Sequence, residues 1–310
     1  MKKEVTAYAP ASVSNVASGF DVMGFALDGP GDKVTVRCTD SPGVRIAKIT
    51  GCSSPLPLEP ERNTAGPPVI AVLKRCNSRQ GVEIEVHKGL PLGSGIGSSA
   101  ASAVAAAVAA NALLDAGLSC DDLLACSVEG EKVASGAVHV DNLAPCLMGG
   151  FVLIRGYMPI DVVRIPVPRS LHCAIVRPHI EIKTKETRKL LPPSVSLCDV
   201  IAQTGNAAGL IAGLMSEDFG LIGRSLQDFI AEPVRKSLIP GFDEMKEAAL
   251  NAGALGCSIS GSGPSVFALA SSFESAQSAA QAMADVLKRL NCQHSVIVSG
   301  INRTGARIID

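Results

Sequence analysis

The densest chemistry in the chain lies in one short stretch, Gly89-Leu90-Pro91-Leu92-Gly93-Ser94-Gly95-Ile96-Gly97-Ser98-Ser99. Glycine backbones leave N–H groups open and let an anion come close, and a helix starting just afterwards adds the positive end of its dipole. Serine hydroxyls at the junction can reach a phosphate oxygen or a magnesium ion. The combination reads as a phosphate cradle, although a glycine cluster alone can equally be a tight strand-to-helix connection. Three features favour the cradle: five glycines between 81 and 97, paired serines at the helix start, and a small-residue helix that permits close packing.

Two familiar phosphate motifs can be tested against this stretch. A Walker A loop needs Gly-Lys before Ser or Thr, and the sequence contains no Gly-Lys pair. A dinucleotide loop needs G-x-G-x-x-G after an early strand; Gly93, Gly95 and Gly97 give G-x-G-x-G, with Ser98 where the third glycine should stand. The P-loop reading fails and the nicotinamide oxidoreductase reading is weak.

The surrounding elements must hold this loop. Val82, Ile84 and Val86 alternate with Glu83, Glu85 and His87, the period-2 pattern of a strand with one buried face. After the loop, 100–114 has the composition of a strong helix, with Ser98 or Ser99 suited to cap its start and Gly117 to end it. A second helix is expected over 121–133 and a strand over 151–154, followed by an extended Pro-rich passage over 163–169. The second half is expected to give strands at 171–176, 265–270 and 295–299. Its helices should begin near 199 and cover 242–251 and 273–290, with a second glycine-rich turn at Gly261-Ser262-Gly263-Pro264. Mixed helices and strands on both sides of a boundary near 170 predict an α+β class with two lobes, 1–170 and 171–310.

Composition agrees with a globular chain. Of 310 residues, 47% are hydrophobic and 18% charged, which excludes a disordered chain. The net charge of -1, with no basic run, gives no electrostatic footprint for nucleic acid or an anionic membrane, so the expected partner is a small molecule. The ten cysteines include no C-x-x-C pair, which argues for structural thiols rather than zinc or redox sites. No apolar h-region follows Met1, and the longest apolar run, 100–114, is shorter than the roughly 20 residues of a membrane span. The expected compartment is the cytoplasm.

The segment Pro91-Leu92-Gly93-Ser94-Gly95-Ile96-Gly97-Ser98-Ser99-Ala100-Ala101 resembles the nucleotide-binding signature of the GHMP kinases, P-x-x-x-G-L-G-S-S-A-A, with Ile96 in place of Leu. Further stretches in the matching order resemble the branch of that family that acts on homoserine. They are 9–15 with Gly19-Phe20-Asp21, then 131–150 with His139-Val140-Asp141-Asn142, then 184–188, 232–235 and 260–264. Where the family has Asn-Leu-Gly, this chain has Asn15-Val16-Ala17. The resemblance implies a two-lobed GHMP fold, with an N-terminal lobe like a ribosomal protein domain and a ferredoxin-like C-terminal lobe. It implies ATP and Mg²⁺ as cofactors and L-homoserine as the small-molecule substrate; a homodimer is the expected assembly.

The roles it implies fall on named positions. Residues 91–101 would bind the nucleotide, with Asn63-Thr64 near the base; Ser99 and Glu131 would hold magnesium. Asn15, Asp21, His139, Arg188, Arg235 and Gly261 would meet the substrate, Asp21 suiting an ammonium group and the two arginines a carboxylate. Asp141 is the carboxylate nearest to hand as a base, and Asn142 could hydrogen-bond the attacking hydroxyl. Taken singly, Glu131, Arg188 and Arg235 would be solvated surface residues and Ser99 a helix cap. Another GHMP kinase of mevalonate type, or a non-catalytic GHMP-like binding protein, are the alternatives.

Overall fold

A computed structural model describes residues 3–135, 138–182 and 184–309. Residues 1, 2 and 310 at the ends of the expected lobes, and 136–137 inside the 131–150 stretch, lie outside the described residues.

The first sheet has seven strands. β1 (Glu4–Ser14) and β2 (Met23–Thr39) form an antiparallel pair whose register shifts between Pro10 and Ser12. β3 (Val44–Thr50) is joined through α1 (Gly66–Arg75) to β4 (Gly81–His87), and these two strands run parallel, with β4 also beside β2. The long β2 pairs with β4 at one end and with β5 (Phe151–Tyr157) at the other, and β6 (Ile160–Ile165) closes that edge.

Between β4 and β5 come α2 (Ser98–Leu114), α3 (Cys120–Ser135) and α4 (Val140–Met148). α2 is apolar on nearly every side, and such a helix is stable only when enclosed. It lies against β1 and β2 and is covered by α1, α3 and α4, its alanine methyls allowing close approach.

Two local expectations are corrected here. α2 begins at Ser98, with Gly97 in the left-handed N-cap position and no side-chain cap. The hydroxyls of Ser98 and Ser99 are directed elsewhere, to the Leu90 carbonyl and the Glu131 carboxylate. At the other end the cap is Asp115 (φ +48°), two residues before Gly117, and it donates its N–H to the Asn111 carbonyl.

The second sheet is four-stranded and antiparallel, in the order β10 (His294–Gly300), β7 (His172–Pro178), β9 (Val266–Ala270), β8 (Gly256–Ile259). The short helix α5 (Thr184–Arg188) follows β7. Then come α6 (Leu197–Ser216), α7 (Phe219–Ser225) and α8 (Glu232–Arg235). α9 (Phe242–Asn251) and α10 (Phe273–Arg289) cover one sheet face.

Strand alternation divides this sheet between two cores. Ala174, Val176, Val266 and Ala268 face Met245, Met283 and Leu287 of α9 and α10. Cys173, Ile175, Phe267 and Leu269 join the core of the first lobe, where the Phe267 ring meets Phe25 edge-on at 6.1 Å. The lobes are therefore fused through one apolar layer.

The chain end returns to the first sheet. Beyond β10, Ile301 bridges to Leu27, and β11 (Arg307–Ile308) pairs antiparallel with β1. The C-terminal residues thus belong to the first sheet, and the second sheet is built from residues 172–300.

α6, at 20 residues, is by length and composition apolar enough to cross a membrane, but it docks on α7 through the buried Leu210 and Leu214. Among the described residues no two cysteines are joined by a disulfide.

Candidate active site

A cleft of about 520 Å³ lies where the two sheets meet, walled by the glycine loop, the 15–21 turn, α3, α4 and the 261–262 turn of the second lobe. Its loop wall is held from behind. The Ser94 and Gly95 carbonyls accept the hydroxyls of Ser265 (2.6 Å) and Ser260 (2.7 Å), and the Ile96 carbonyl accepts the Ser12 N–H (3.1 Å). With the carbonyls occupied, the backbone N–H groups from Gly93 to Ser99 donate to no partner among the described residues. That is the arrangement an anion requires.

Glycine is needed here for space as well as conformation. At Gly95 (φ +77°) a Cβ would stand 2.7 Å from the carbonyl oxygens of Ser260 and Gly263; at Gly97 (φ +70°) it would stand 2.1 Å from Ser12 Oγ. The loop is clamped between both lobes, so its shape depends on residues 165 and 171 positions away.

Under the loop lies a buried ion pair that sequence reading missed. Lys88 and Asp32 pair directly, and Lys88 Nζ also donates to the Ser98 carbonyl (2.8 Å) and Ser102 Oγ (2.9 Å). Asp32 Oδ1 accepts the N–H groups of Gly89 (3.0 Å) and Leu90 (3.1 Å). Every polar atom is satisfied, the condition for tolerating buried charge. A lone Lys at a strand end carries no sequence signal of this, because its partner is 56 residues away.

At the mouth of α2, Ser99 Oγ donates to Glu131 Oε2 at 2.9 Å, and Glu131 is buried on α3. One hydroxyl and one carboxylate side by side beneath a phosphate cradle form the hard oxygen pair that Mg²⁺ uses when phosphates and water complete its shell. The residues fit such an ion.

The cleft is also lined by charges of both signs. The 15–21 turn holds Asn15, Val16, Ala17 and Asp21 in left-handed conformations, φ between +44° and +69°. Such strain persists only under outside restraint. Asn15 supplies part of it, donating to the Gly261 carbonyl (2.8 Å) and accepting the Asp21 N–H (3.0 Å). Tyr157 donates its hydroxyl to the Asp21 carbonyl at 2.5 Å.

The Asp21 carboxylate forms a two-pronged ion pair with Arg188. Arg235, only 4% exposed, gives Nη1 to the Gly261 carbonyl (3.1 Å), lies 5.2 Å over the Phe20 ring, and keeps a buried Nε with no partner.

Next to them, His139 Nε2 and Asp141 Oδ1 are also buried without a partner. Burial, together with the Asp21 and Glu131 charges, pushes the Asp141 carboxyl up to about 7. Burial pushes His139 down, against the pull of Asp21, which keeps the ring neutral at neutral pH. Burial also lowers Arg235. Asn142 is engaged at both ends, donating to Ser14 Oγ (2.8 Å) and accepting Ser12 Oγ (3.0 Å).

The fold brings most of the expected site residues to the cleft. Asn15, Asp21, Asn63, Thr64, Glu131, His139, Asp141, Asn142, Arg188, Arg235 and Gly261 all line it, as do Leu92, Gly93, Ser94, Gly95, Gly97, Ser98 and Ser99. Pro91, Ile96, Ala100 and Ala101 do not: Pro91 is turned to solvent, and the other three are buried in the core behind the loop. The types of these three serve packing. Asn63 spends its amide on its own turn, donating to the Pro57 carbonyl (2.9 Å) and accepting the Ala65 N–H (3.0 Å).

Comparison with known proteins agrees with this geometry. The profile of the GHMP kinases N terminal domain matches residues 65–150, and that of the GHMP kinases C terminal matches 210–289. A curated homoserine kinase of Chloroherpeton thalassium is 47% identical, with 99% of this chain and 100% of that one covered. The crystal structure of homoserine kinase from Cytophaga hutchinsonii superposes with a TM-score of 0.97 at 52% identity, covering 100% and 98% of the two chains. The L. major mevalonate kinase, solved with R-mevalonate, gives a TM-score of 0.71 at 16% identity over 97% and 98%, a likeness of fold alone.

Proposed function

The chain belongs to the GHMP kinase family, and we propose that it transfers the γ-phosphoryl group of ATP to the side-chain hydroxyl of L-homoserine, giving O-phospho-L-homoserine and ADP on the way to threonine. The observation that carries this reading is that one cleft is lined both by a backbone phosphate cradle and by Asp21, Arg188 and Arg235. A zwitterion with a hydroxyl on a short arm spans such a site.

In this reading the N–H groups of the glycine loop hold the triphosphate, and Ser99 with Glu131 would hold Mg²⁺, which would supply positive charge to the phosphates. The Asp21–Arg188 pair opens as substrate enters: the ammonium group takes Asp21, and the carboxylate takes Arg188 and Arg235. His139, whose buried Nε2 has no partner, is supported as a further substrate contact. The homoserine oxygen attacks the γ-phosphorus in line, the bond to the β–γ bridging oxygen breaks, and the hydroxyl proton passes to Asp141. Asn142, fixed by Ser12 and Ser14, has one remaining N–H with which to orient that hydroxyl. Most of the rate comes from positioning and charge stabilisation, so Asp141 need only be a modest base.

The apolar wall of Leu56, Pro57 and Val133 beside Asn63-Thr64 is the side offered to the base of ATP. A cytoplasmic setting, where ATP and reduced thiols coexist, fits the absence of disulfides among the described residues. Assembly as a homodimer belongs to the same proposal and is read by light scattering.

The test is ADP release with Mg-ATP and a panel of acceptors: homoserine, serine, threonine and mevalonate. Homoserine should give the highest kcat/KM. Faster turnover of mevalonate, or no turnover of any acceptor, would reject the reading.

A further inference from the structure

The two recognition groups of opposite sign stand on separate elements that do not follow each other in the chain. Asp21 ends the strained 15–21 turn of the first lobe, and Arg235 ends α8 of the second. One buried side chain, Gln203 on α6, is bonded to both. Its Nε2 donates to the Ser18 carbonyl in the middle of the turn (3.0 Å) and to Asp228 Oδ1 (3.3 Å); its Oε1 accepts the Phe229 N–H (2.9 Å).

Asp228 in turn organises the start of α8. Its carboxylate accepts the N–H groups of Ile230 (2.8 Å), Ala231 (3.0 Å) and Glu232 (2.9 Å), and its charge acts on Arg235 at the end of α8. Gln203 is 7% exposed and does not line the cleft. It therefore touches neither substrate nor phosphate. All of its hydrogen bonds go to the backbone or the cap of the two substrate-binding segments, and none goes to its own helix.

We propose that Gln203 is a positioning residue that fixes the separation of Asp21 and Arg235, so that substrate affinity, but not nucleotide affinity, depends on it. The inference rests on the reading of the cleft as an amino-acid site. An apolar side chain of the same length would leave the Ser18 carbonyl and Phe229 N–H unpaired in a buried place and free the two segments to drift apart. A glutamate would keep the bond from Phe229 but set an acceptor against Ser18 and Asp228. Protonated, that glutamate regains a donor.

The experiment measures KM for homoserine, KM for ATP and kcat for the wild type, Gln203→Met and Gln203→Glu, with thermal melting as the folding control. Wild-type turnover of homoserine first establishes the underlying reading; its absence would reject that reading separately. Both variants should raise KM for homoserine about tenfold, the effect of roughly one lost neutral hydrogen bond, and leave KM for ATP within twofold. The excess KM of Gln203→Glu over wild type should shrink as pH falls from 8 to 5.5, while that of Gln203→Met stays constant. Unchanged homoserine KM in folded variants would overturn the proposal. So would equal rises in both KM values, or failure of both variants to fold, each of which would give Gln203 a general structural role.

Discussion

Asp141 owes its chemistry to its surroundings. Burial first, then the Asp21 and Glu131 charges, lift its carboxyl from 3.8 to about 7, with the Asn15 N–H opposing. A base of that affinity ionises where the enzyme works, so kcat/KM should fall on an acid limb near pH 7, and Asp141→Asn should lose most activity together with that limb. Stability should move the other way. The native carboxyl keeps its proton to higher pH than an unfolded one, so folding takes up a proton between those values, and the stability present at low pH is lost as pH rises towards 7. Asp141→Asn should therefore melt higher than wild type at pH 8 by roughly 1–3 kcal/mol and show little gain at pH 4. Melting curves at the two pH values decide it. Arg235 is the other residue whose type matters beyond its charge. Arg235→Lys keeps a cation but loses the planar fork that reaches Gly261 and leaves Nε for substrate. Homoserine kcat/KM should drop about ten- to a hundredfold with KM for ATP unchanged; normal homoserine kinetics would remove Arg235 from the site.

Among the elements, the glycine loop works because its carbonyls are tied back and its N–H groups are not. Ser12, Ser260 and Ser265, from both lobes, set that orientation, and the Lys88–Asp32 pair fixes where β4 ends and α2 begins. Gly97→Ala should disturb this at once. Its methyl would meet Ser12 Oγ at 2.1 Å and Asn142 Oδ1 at 3.1 Å, in a conformation (φ +70°) that itself costs an L-residue about 1–2 kcal/mol. KM for ATP should rise at least tenfold. Gly117→Ala is the control: its φ is also left-handed (+62°), but nothing lies within 4 Å, so it should lose about 1 kcal/mol of stability with nucleotide binding intact. Equal ATP affinities in the two variants would mean that the loop's shape is unimportant.

At the level of the whole molecule, an apolar contact and the path of the chain both join the lobes. Phe267 of the second sheet inserts beside Phe25 of the first, and the chain then leaves β10 to finish on β1. Asn302 is the buried hinge of that return. It donates Nδ2 to Asp28 Oδ1 (2.9 Å) and takes the Thr304 and Gly305 N–H groups on Oδ1 (3.1 and 2.8 Å). Its backbone N–H reaches the Ala26 carbonyl. Asn302→Ala should cost about 1–3 kcal/mol, since buried partners are left unpaired, and should lower the melting temperature without changing either KM. A melting temperature equal to wild type would show that the return segment contributes nothing to stability.

Much of this protein follows from local pattern. The alternation at 82–86, the glycines of 89–97 and the alanine helix after them are short-range signals, because strand period, backbone freedom and helix propensity act within a few residues. The resemblance carried by 91–101 and the other matching stretches gave the family and many of the residues that line the cleft. Contacts between distant residues were not legible, because nothing local records them. Asp32 beneath the loop, Tyr157 and Gln203 on the 15–21 turn, and the last strand crossing to the first sheet each depend on partners far away in the chain. The affinity of Asp141 for its proton belongs with them: a carboxylate's chemistry is set by what encloses it, and only the folded chain supplies the enclosure.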